Sequence, residues 1–583
     1  MGFSNKTQGI LDKFSDIEDR INRSTFGRVF RLDGSGHPKQ IRGASFFREL
    51  RAGLTTFATM AYIIAVNSHV LSESGGTCEC NTPSDHCKTD AAYASCQTIL
   101  KQDLITATAA IAGLSSILFG FLTNLPVALG PGMGLNAYFT YQVVGWHGTG
   151  MVSYSLALTA VFVEGFIFMF LALTGLRQWL VKMIPSTIKT ASGVGIGLFL
   201  TMVGLSYSAG VGAITSGGST PVAIGGCPFW IGITLGGIFV AFLMAFRVKS
   251  AIVIGITLVS VLSWPRGTNY TYFPGDKDGD DRYEFFKKVV AFHPIEKTLF
   301  AQQWDLSGST GSQFALALVT FLYVDIIDCT ATLYSMAKFS GVVDENGDFP
   351  RSTMAYCTDA ACISIGSLFG CSPVTAFIES GAGIAEGGRT GLTAMMTGLC
   401  FLLSLFLAPI FASIPPWATG STLVLVGCLM IRQVCNINWA YIGDAVPSFV
   451  TLVFMPMSYS VAYGLIAGMF VYVVLNTMIW AVVHFTDGRI TPANYNEKEV
   501  YNWAMSRRDM PTWMRKIADK ISGSRQSAVG RKETIELADT DSTIRNSSHS
   551  GSAKDKDAII FEHHPQQPHP VHNSAYQHQE HFG

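Results

Sequence analysis

Acidic side chains inside apolar runs are the chemically loaded features of this sequence. The segment TFLYVDIIDCTATLY carries Asp325 and Asp328, and GCSPVTAFIESGAG carries Glu379. A carboxylate at the centre of a membrane helix costs at least ~2.5–3.5 kcal/mol on insertion scales, so it normally faces a partner or a cavity. Asp325 and Asp328 are three residues apart and share a helical face, where repulsion between two anions favours proton uptake by one. Proton binding follows from that spacing; for Asp328, a structural anion accepting backbone N–H bonds is the competing reading. Asn136 follows the run PVALGPGMGL, and Phe377, two residues before Glu379, offers a ring face to a flat ligand. Asp359 is a further candidate for proton relay, and Glu164 and Asp444 are intramembrane acids that each have a helix neighbour to face.

These groups need spans to hold them. The chain of 583 residues is 49% hydrophobic and 14% charged, and apolar stretches of bilayer length recur from Phe46 to Phe485. Spans are expected near 47–70, 103–123, 126–145, 153–175, 186–206, 228–246, 250–264, 313–338, 352–370, 372–386, 390–413, 418–434, 439–456 and 459–485, about fourteen in all. The fold class is an all-α polytopic membrane protein. PVALGPGMGLNA in the third span and GCSPVTAFIESGAG in the tenth cannot be undisturbed helices, because Pro131 and Pro373 each remove a donor and the glycines loosen the backbone. Irregular backbone at membrane depth is tolerated only where protein encloses it or it lines a polar cavity. Breaks at the third position of each set of seven imply two inverted repeats, with the substrate site where the broken spans meet.

Charge sets the orientation. Counting from a cytoplasmic N-terminus, the inner short loops hold Arg177, Lys182, Arg247, Lys249, Lys338, Arg351, Arg389 and Arg432, whereas the outer short loops hold no Lys or Arg. Both termini are therefore expected in the cytoplasm. Two long loops then fall outside. The first, 74–102, contains Cys78, Cys80, Cys87 and Cys96; two disulfides could pair in three ways, with unpaired thiols and a zinc knot as the other readings. The second, 265–312, contains Asn269 in an Asn-Tyr-Thr triplet, an N-glycosylation acceptor pattern that also arises by chance. Residues 1–45 have no apolar core followed by a cleavage site, so no removable signal peptide is expected. Residues 488–583 lose the apolar pattern and read as a cytoplasmic, largely disordered tail, whose histidines have no fixed ligand spacing. No basic patch supports nucleic-acid binding, and no cofactor or metal motif is evident. Without HExxH or GxSxG in the spans, an enzyme is not expected. A transporter of another solute and a membrane sensor stay open as readings of the residues alone.

Four segments carry a resemblance: GLTTFATMAYIIAVN at 53–67, GPGMGLNAYFTY at 130–141, VDIIDCTATLYSMAKFSG at 324–341 and PVTAFIESGAGIAEGGRTGLTA at 373–394. They resemble the AzgA-like family, the hypoxanthine/adenine/guanine–proton symporters among fungal purine permeases, from about Phe46 to Phe485. The resemblance implies the nucleobase–ascorbate transporter-like fold and elevator-like alternating access at the plasma membrane. It divides the chain into an N-terminal segment (1–45), core domain (46–175 and 313–413), gate domain (176–264 and 414–487), outer loop (265–312) and tail (488–583). The partners it implies are a purine nucleobase, a proton, the lipid bilayer and a second copy of the chain bound through the gate domain. It carries substrate binding onto Asn136, Asp325 and Glu379; the reading of the residues themselves adds Phe377 to that set and Asp325, Asp328, Glu379 and Asp359 as proton-coupling candidates. The chemistry agrees, since a purine presents N–H donors and ring-nitrogen acceptors around a flat face; carboxylates, an amide and a ring answer these in turn.

Overall fold

A computed structural model describes residues 16–79, 91–150, 152–177, 184–206, 210–214, 230–248, 250–275, 277–306, 310–342, 349, 351–458 and 461–498. The tail beyond 498, including the unit Thr512–Gly583, and Cys80 and Cys87 lie outside these residues. In chain order the main elements are α1 (Thr25–Phe30), α2 (Phe46–Met60), α3 (Tyr62–Ser72), α4 (Ala91–Thr123), β1 (Leu129–Pro131), α5 (Met133–Ala137), α6 (Tyr154–Thr174) and α7 (Ser186–Leu205). They continue with α8 (Gly232–Ala245), α9 (Ala251–Ser263), α10 (Lys277–Phe286), α11 (Thr310–Ser340), α12 (Ser352–Leu368), β2 (Val374–Ala376) and α13 (Ser380–Ala385). The last are α14 (Gly391–Ser404), α15 (Ala408–Ala412), α16 (Pro416–Ile431), α17 (Ile442–Met457) and α18 (Val461–Phe485). Seven helical stretches among the described residues are long and apolar enough to cross a membrane, and α8, α9, α14 and α17 are shorter apolar helices.

Local chemistry fixes the helix ends. Ser153 caps α6 by accepting from Leu156 N, and Thr390 caps α14 by accepting from Leu392 N. The start of α14 is also held from a distance. Buried Glu49 of α2 accepts the backbone N–H groups of Arg389 (2.9 Å) and Thr390 (3.1 Å) and the hydroxyl of Thr393 (2.6 Å). One carboxylate thus satisfies donors that the first turn of α14 cannot satisfy itself.

Lipid tails are as apolar as leucine, so helices in a membrane adhere by close packing rather than by hydrophobic exclusion. Here α4 packs on α14, α6 on α12 and α7 on α16. Small residues let the backbones touch. A Cβ on Gly391 would stand 1.8 Å from the carbonyl oxygen of Gly120, and one on Gly427 would stand 2.3 Å from that of Gly197.

The first long loop departs from expectation in one respect. The second span, expected to begin near residue 103, belongs to a helix that starts at Ala91 and takes in much of the first loop. Tertiary contacts stabilise this polar extension. Cys78 is disulfide-bonded to Cys96, Gln97 donates to the carbonyl of Ser72, and Lys101 donates to the hydroxyl of Tyr272. Asp103 then ties the second long loop, 265–312, to α4: His293 Nε2 lies 2.8 Å from its Oδ1, and the N–H groups of Glu296 and Lys297 donate to its Oδ2 at 3.0 and 2.6 Å. Asn269 is exposed on that loop.

The glycine contact yields a test. Gly391→Val forces α4 and α14 apart, and overpacking of this kind costs about 1–3 kcal/mol. The purified variant should melt at a lower temperature than the parent; an unchanged melting temperature would show that the contact is slack.

Candidate functional site

The two broken spans meet. β1 and β2 pair antiparallel, with Leu129 opposite Ala376, Gly130 opposite Thr375 and Pro131 opposite Val374. Each strand then leads into a short helix, α5 or α13. The pairing answers the problem set by the prolines, because backbone groups freed from helix bonding find partners across the crossing. Gly132 N donates to Pro373 O at 2.9 Å, and Phe377 N to Ala128 O at 3.1 Å. Serines close the remainder: Ser380 Oγ accepts from Ala128 N, while Ser116 Oγ accepts from Leu129 N and donates to Leu129 O, each at 3.0 Å. Two glycines are required by proximity, since a Cβ on Gly132 would lie 2.7 Å from Thr375 Cγ2 and one on Gly134 2.7 Å from Ile196 Cγ2.

Over this crossing lies a cavity of about 60 Å³, with Gly132 and Met133 on one side, Thr375 to Glu379 on the other, Asp328 and Tyr62 at its edge, and Ile196, Leu200, Val426 and Met430 opposite. It adjoins a larger cavity of about 300 Å³, which shares Ile196, Asp328, Thr332, Ile378 and Met430 with it and reaches Lys189, Gln433 and Asn436. Together they form a route from the crossing toward the ends of α7 and α16. A larger cavity, about 420 Å³, lies elsewhere. It is an apolar groove between α2 and α3 on one side and α9 and α14 on the other, without a carboxylate in its lining.

Of the residues singled out in the sequence, Glu379, Phe377 and Asp328 line the cavity at the crossing. Glu379 is oriented by Tyr62, whose hydroxyl donates to its Oε1 at 2.8 Å, and Thr59 donates to its backbone carbonyl at 3.4 Å. The structure does not bring Asn136 and Asp325 into that lining. Both are fully buried, and their side-chain polar atoms have no hydrogen-bond partner. The separation of Asp325 from Asp328 is geometric. On adjoining turns of α11, Asp328 is partly exposed beside the cavity, while Asp325 sits among α6 and α12 with Glu164 and Asp359 as its electrostatic neighbours. Asp359 is buried and accepts a hydrogen bond from the Cys329 thiol at 2.9 Å. The rings beside Asn136 face away from the crossing: Tyr138 and Phe139 both pack on Phe321, with centroids 5.3 and 6.0 Å apart.

Tyr62 and Thr59 escaped the sequence reading. Their signal was a tyrosine and a threonine flanking the point where the first span is interrupted, at Ala61 between α2 and α3. Among the described residues, no group of His, Cys, Asp and Glu is placed to hold a metal ion.

Long apolar helices around a cavity built on broken, polar backbone define a helical, multi-pass membrane transporter. A family model, described as Permease family and covering xanthine and uracil permeases, matches residues 90–477. The chain belongs to that family. It is 54% identical over 518 residues to the efflux pump NotK′ of Aspergillus versicolor, a match covering 85% of this chain and 90% of that one. It is 52% identical to a putative xanthine/uracil permease of Schizosaccharomyces pombe (89% and 85% covered) and 34% identical to the guanine/hypoxanthine permease PbuG of Bacillus subtilis (74% and 90% covered).

The Tyr62–Glu379 bond can be measured by itself. A double-mutant cycle of Tyr62→Phe and Glu379→Ala on the thermal stability of the purified protein should give a coupling of about 0.5–3 kcal/mol, the range for residues in direct contact. Simple additivity would mean that the hydroxyl does not hold the carboxylate.

Proposed function

We propose that the chain is a proton-coupled permease of the purine nucleobases hypoxanthine, adenine and guanine. The observation that carries this reading is the cavity at the β1–β2 crossing, where two carboxylates, a phenol and a phenyl ring converge. A purine needs acceptors for its N–H groups, which Glu379 and Asp328 supply, and an apolar face, which Phe377 supplies. Asn136 and Asp325 act behind this layer. The relation to a guanine/hypoxanthine permease supports the same substrate class.

The same cavity supports elevator-like alternating access. Its acids and strands come from the stretches 46–175 and 313–413 assigned to a core domain, whereas Ile196, Leu200, Val426 and Met430 come from 176–264 and 414–487, assigned to a gate. An apolar gate wall against a polar core is a surface along which the core can slide without breaking hydrogen bonds. The seven long helices, the shorter apolar ones, α12 and the two broken spans are consistent with fourteen spans in two inverted repeats. The packing of α4 on α14 and of α6 on α12 supports that symmetry, because exchanging the halves turns each pair into the other. With Lys189 and Asn436 toward the cytoplasm, as the positive-inside pattern places them, the cavity opens inward. Plasma-membrane residence, cytoplasmic termini and a homodimer through the gate complete the reading.

A carrier of this kind moves solute in the direction its gradients dictate, and one relative bears the name of an efflux pump, so direction is the quantity to measure. Uptake of radiolabelled purines into cells expressing the chain should rise as external pH falls, collapse with an uncoupler and ignore sodium. Accumulation that needs sodium and survives the uncoupler would overturn proton coupling. Glu379→Gln removes a charged acceptor, which contributes roughly 1.5–3 kcal/mol, or about ten- to hundredfold in affinity. Unchanged purine affinity in this variant, at normal surface expression, would remove Glu379 from the site.

A further inference from the structure

Behind the purine cavity lies a second group of acids, none of which lines it. Glu164 of α6, Asp325 of α11 and Asp359 of α12 are all fully buried and are electrostatic neighbours of one another. Five of their six carboxylate oxygens have no hydrogen-bond partner; the sixth, Asp359 Oδ2, accepts from Cys329. Among the described residues, the cation within electrostatic reach is Arg177, whose guanidinium lies 3.3 Å from the centroid of the Tyr356 ring and donates to Thr330 at 2.7 Å. The remaining titratable groups facing the cluster are the thiols of Cys329 and Cys362 and the carboxyl of Asp328.

Three bare carboxylates in a dry interior cannot all carry charge, because each buried ion costs several kcal/mol to desolvate and like charges add to that cost. One cation offsets one of them. The others need a ligand that is positive, small enough for a site without an open cavity, and able to satisfy a lone carboxylate oxygen. A proton meets all three conditions.

We propose that Glu164, Asp325 and Asp359 form the proton-carrying site of this transporter, separate from the purine cavity and connected to it through Asp328. The proposal rests on the proton-coupled reading above and adds where the proton resides. Asp328, one helical turn from Asp325, lines the cavity with Glu379 as its electrostatic neighbour and is also a neighbour of Asp359. It therefore links the two sites. A purine that takes up the hydrogen-bonding capacity of Asp328 and Glu379 changes the field at the cluster, and the cluster's protonation changes the purine's affinity by the same factor.

The full-length protein, purified and in proteoliposomes, tests this. Glu164→Gln and Asp359→Asn, which each fix one member of the cluster neutral, should still bind hypoxanthine, with an affinity that varies less with pH than the parent's. They should also keep hypoxanthine exchange across the membrane but lose accumulation driven by a pH gradient and the proton uptake that accompanies binding. Accumulation and proton uptake equal to the parent's in both variants would overturn the proposal, as would accumulation by the parent that requires sodium. A parent that fails to bind any purine would instead sink the substrate assignment. Should either variant fail to fold, the unaltered protein still decides the matter. Difference infrared spectra of the unaltered protein should show a protonated-carboxyl band that grows when hypoxanthine binds and exchanges slowly with D2O, as acids enclosed in the interior do. Absence of such a band would overturn the assignment.

Discussion

The structure depends on one constraint: backbone polar groups at membrane depth must find partners inside the protein. Prolines and glycines in two spans forbid the usual helical solution, and the chain answers by pairing the two defects with each other. The β1–β2 ladder, closed by Ser116 and Ser380, is the smallest structure that satisfies both sets of freed groups at once. It also requires the two halves of the chain to be packed together before either broken span is stable. The cavity follows from the same arrangement, because strands this short end in side chains that cannot all be covered.

Around that crossing the protein separates two kinds of acid. Asp328 and Glu379 are partly accessible and face the cavity, with Glu379 held by Tyr62. Glu164, Asp325 and Asp359 are enclosed between α6, α11 and α12. The first kind can exchange partners with a ligand and water, whereas the second can change only its protonation. Adjoining turns of α11 contribute to both, which gives one helix a hand in each process.

Close helix pairs stiffen the scaffold around the crossing. Facing glycines bring α4 to α14 and α7 to α16 at backbone contact, so the wall that supplies Ile196 and Met430 is built on one tight pair and part of the scaffold behind the crossing on another. Deformation within either pair would break this close backbone packing.

Much of the fold class was legible in the sequence. Apolar stretches of bilayer length, the paired Pro-Gly breaks and the carboxylates within spans are composition and local backbone chemistry, and they pointed to a polytopic membrane protein with a candidate site where the broken spans meet. Glu379, Phe377 and Asp328 at the cavity could be anticipated because they lie in or beside those signals. What local chemistry could not decide is which way each side chain of one helix points once its neighbours are packed. Asp325 and Asp328 look alike in the sequence, yet α6 and α12 enclose one while the cavity borders the other. Tyr62 becomes part of the site only because α2 and α3 approach Glu379 from more than three hundred residues away in the chain. The early start of α4 likewise depends on Cys78, Ser72 and Tyr272 arriving beside it. Partners distant in sequence set these outcomes, and a linear pattern carries no information about who those partners will be.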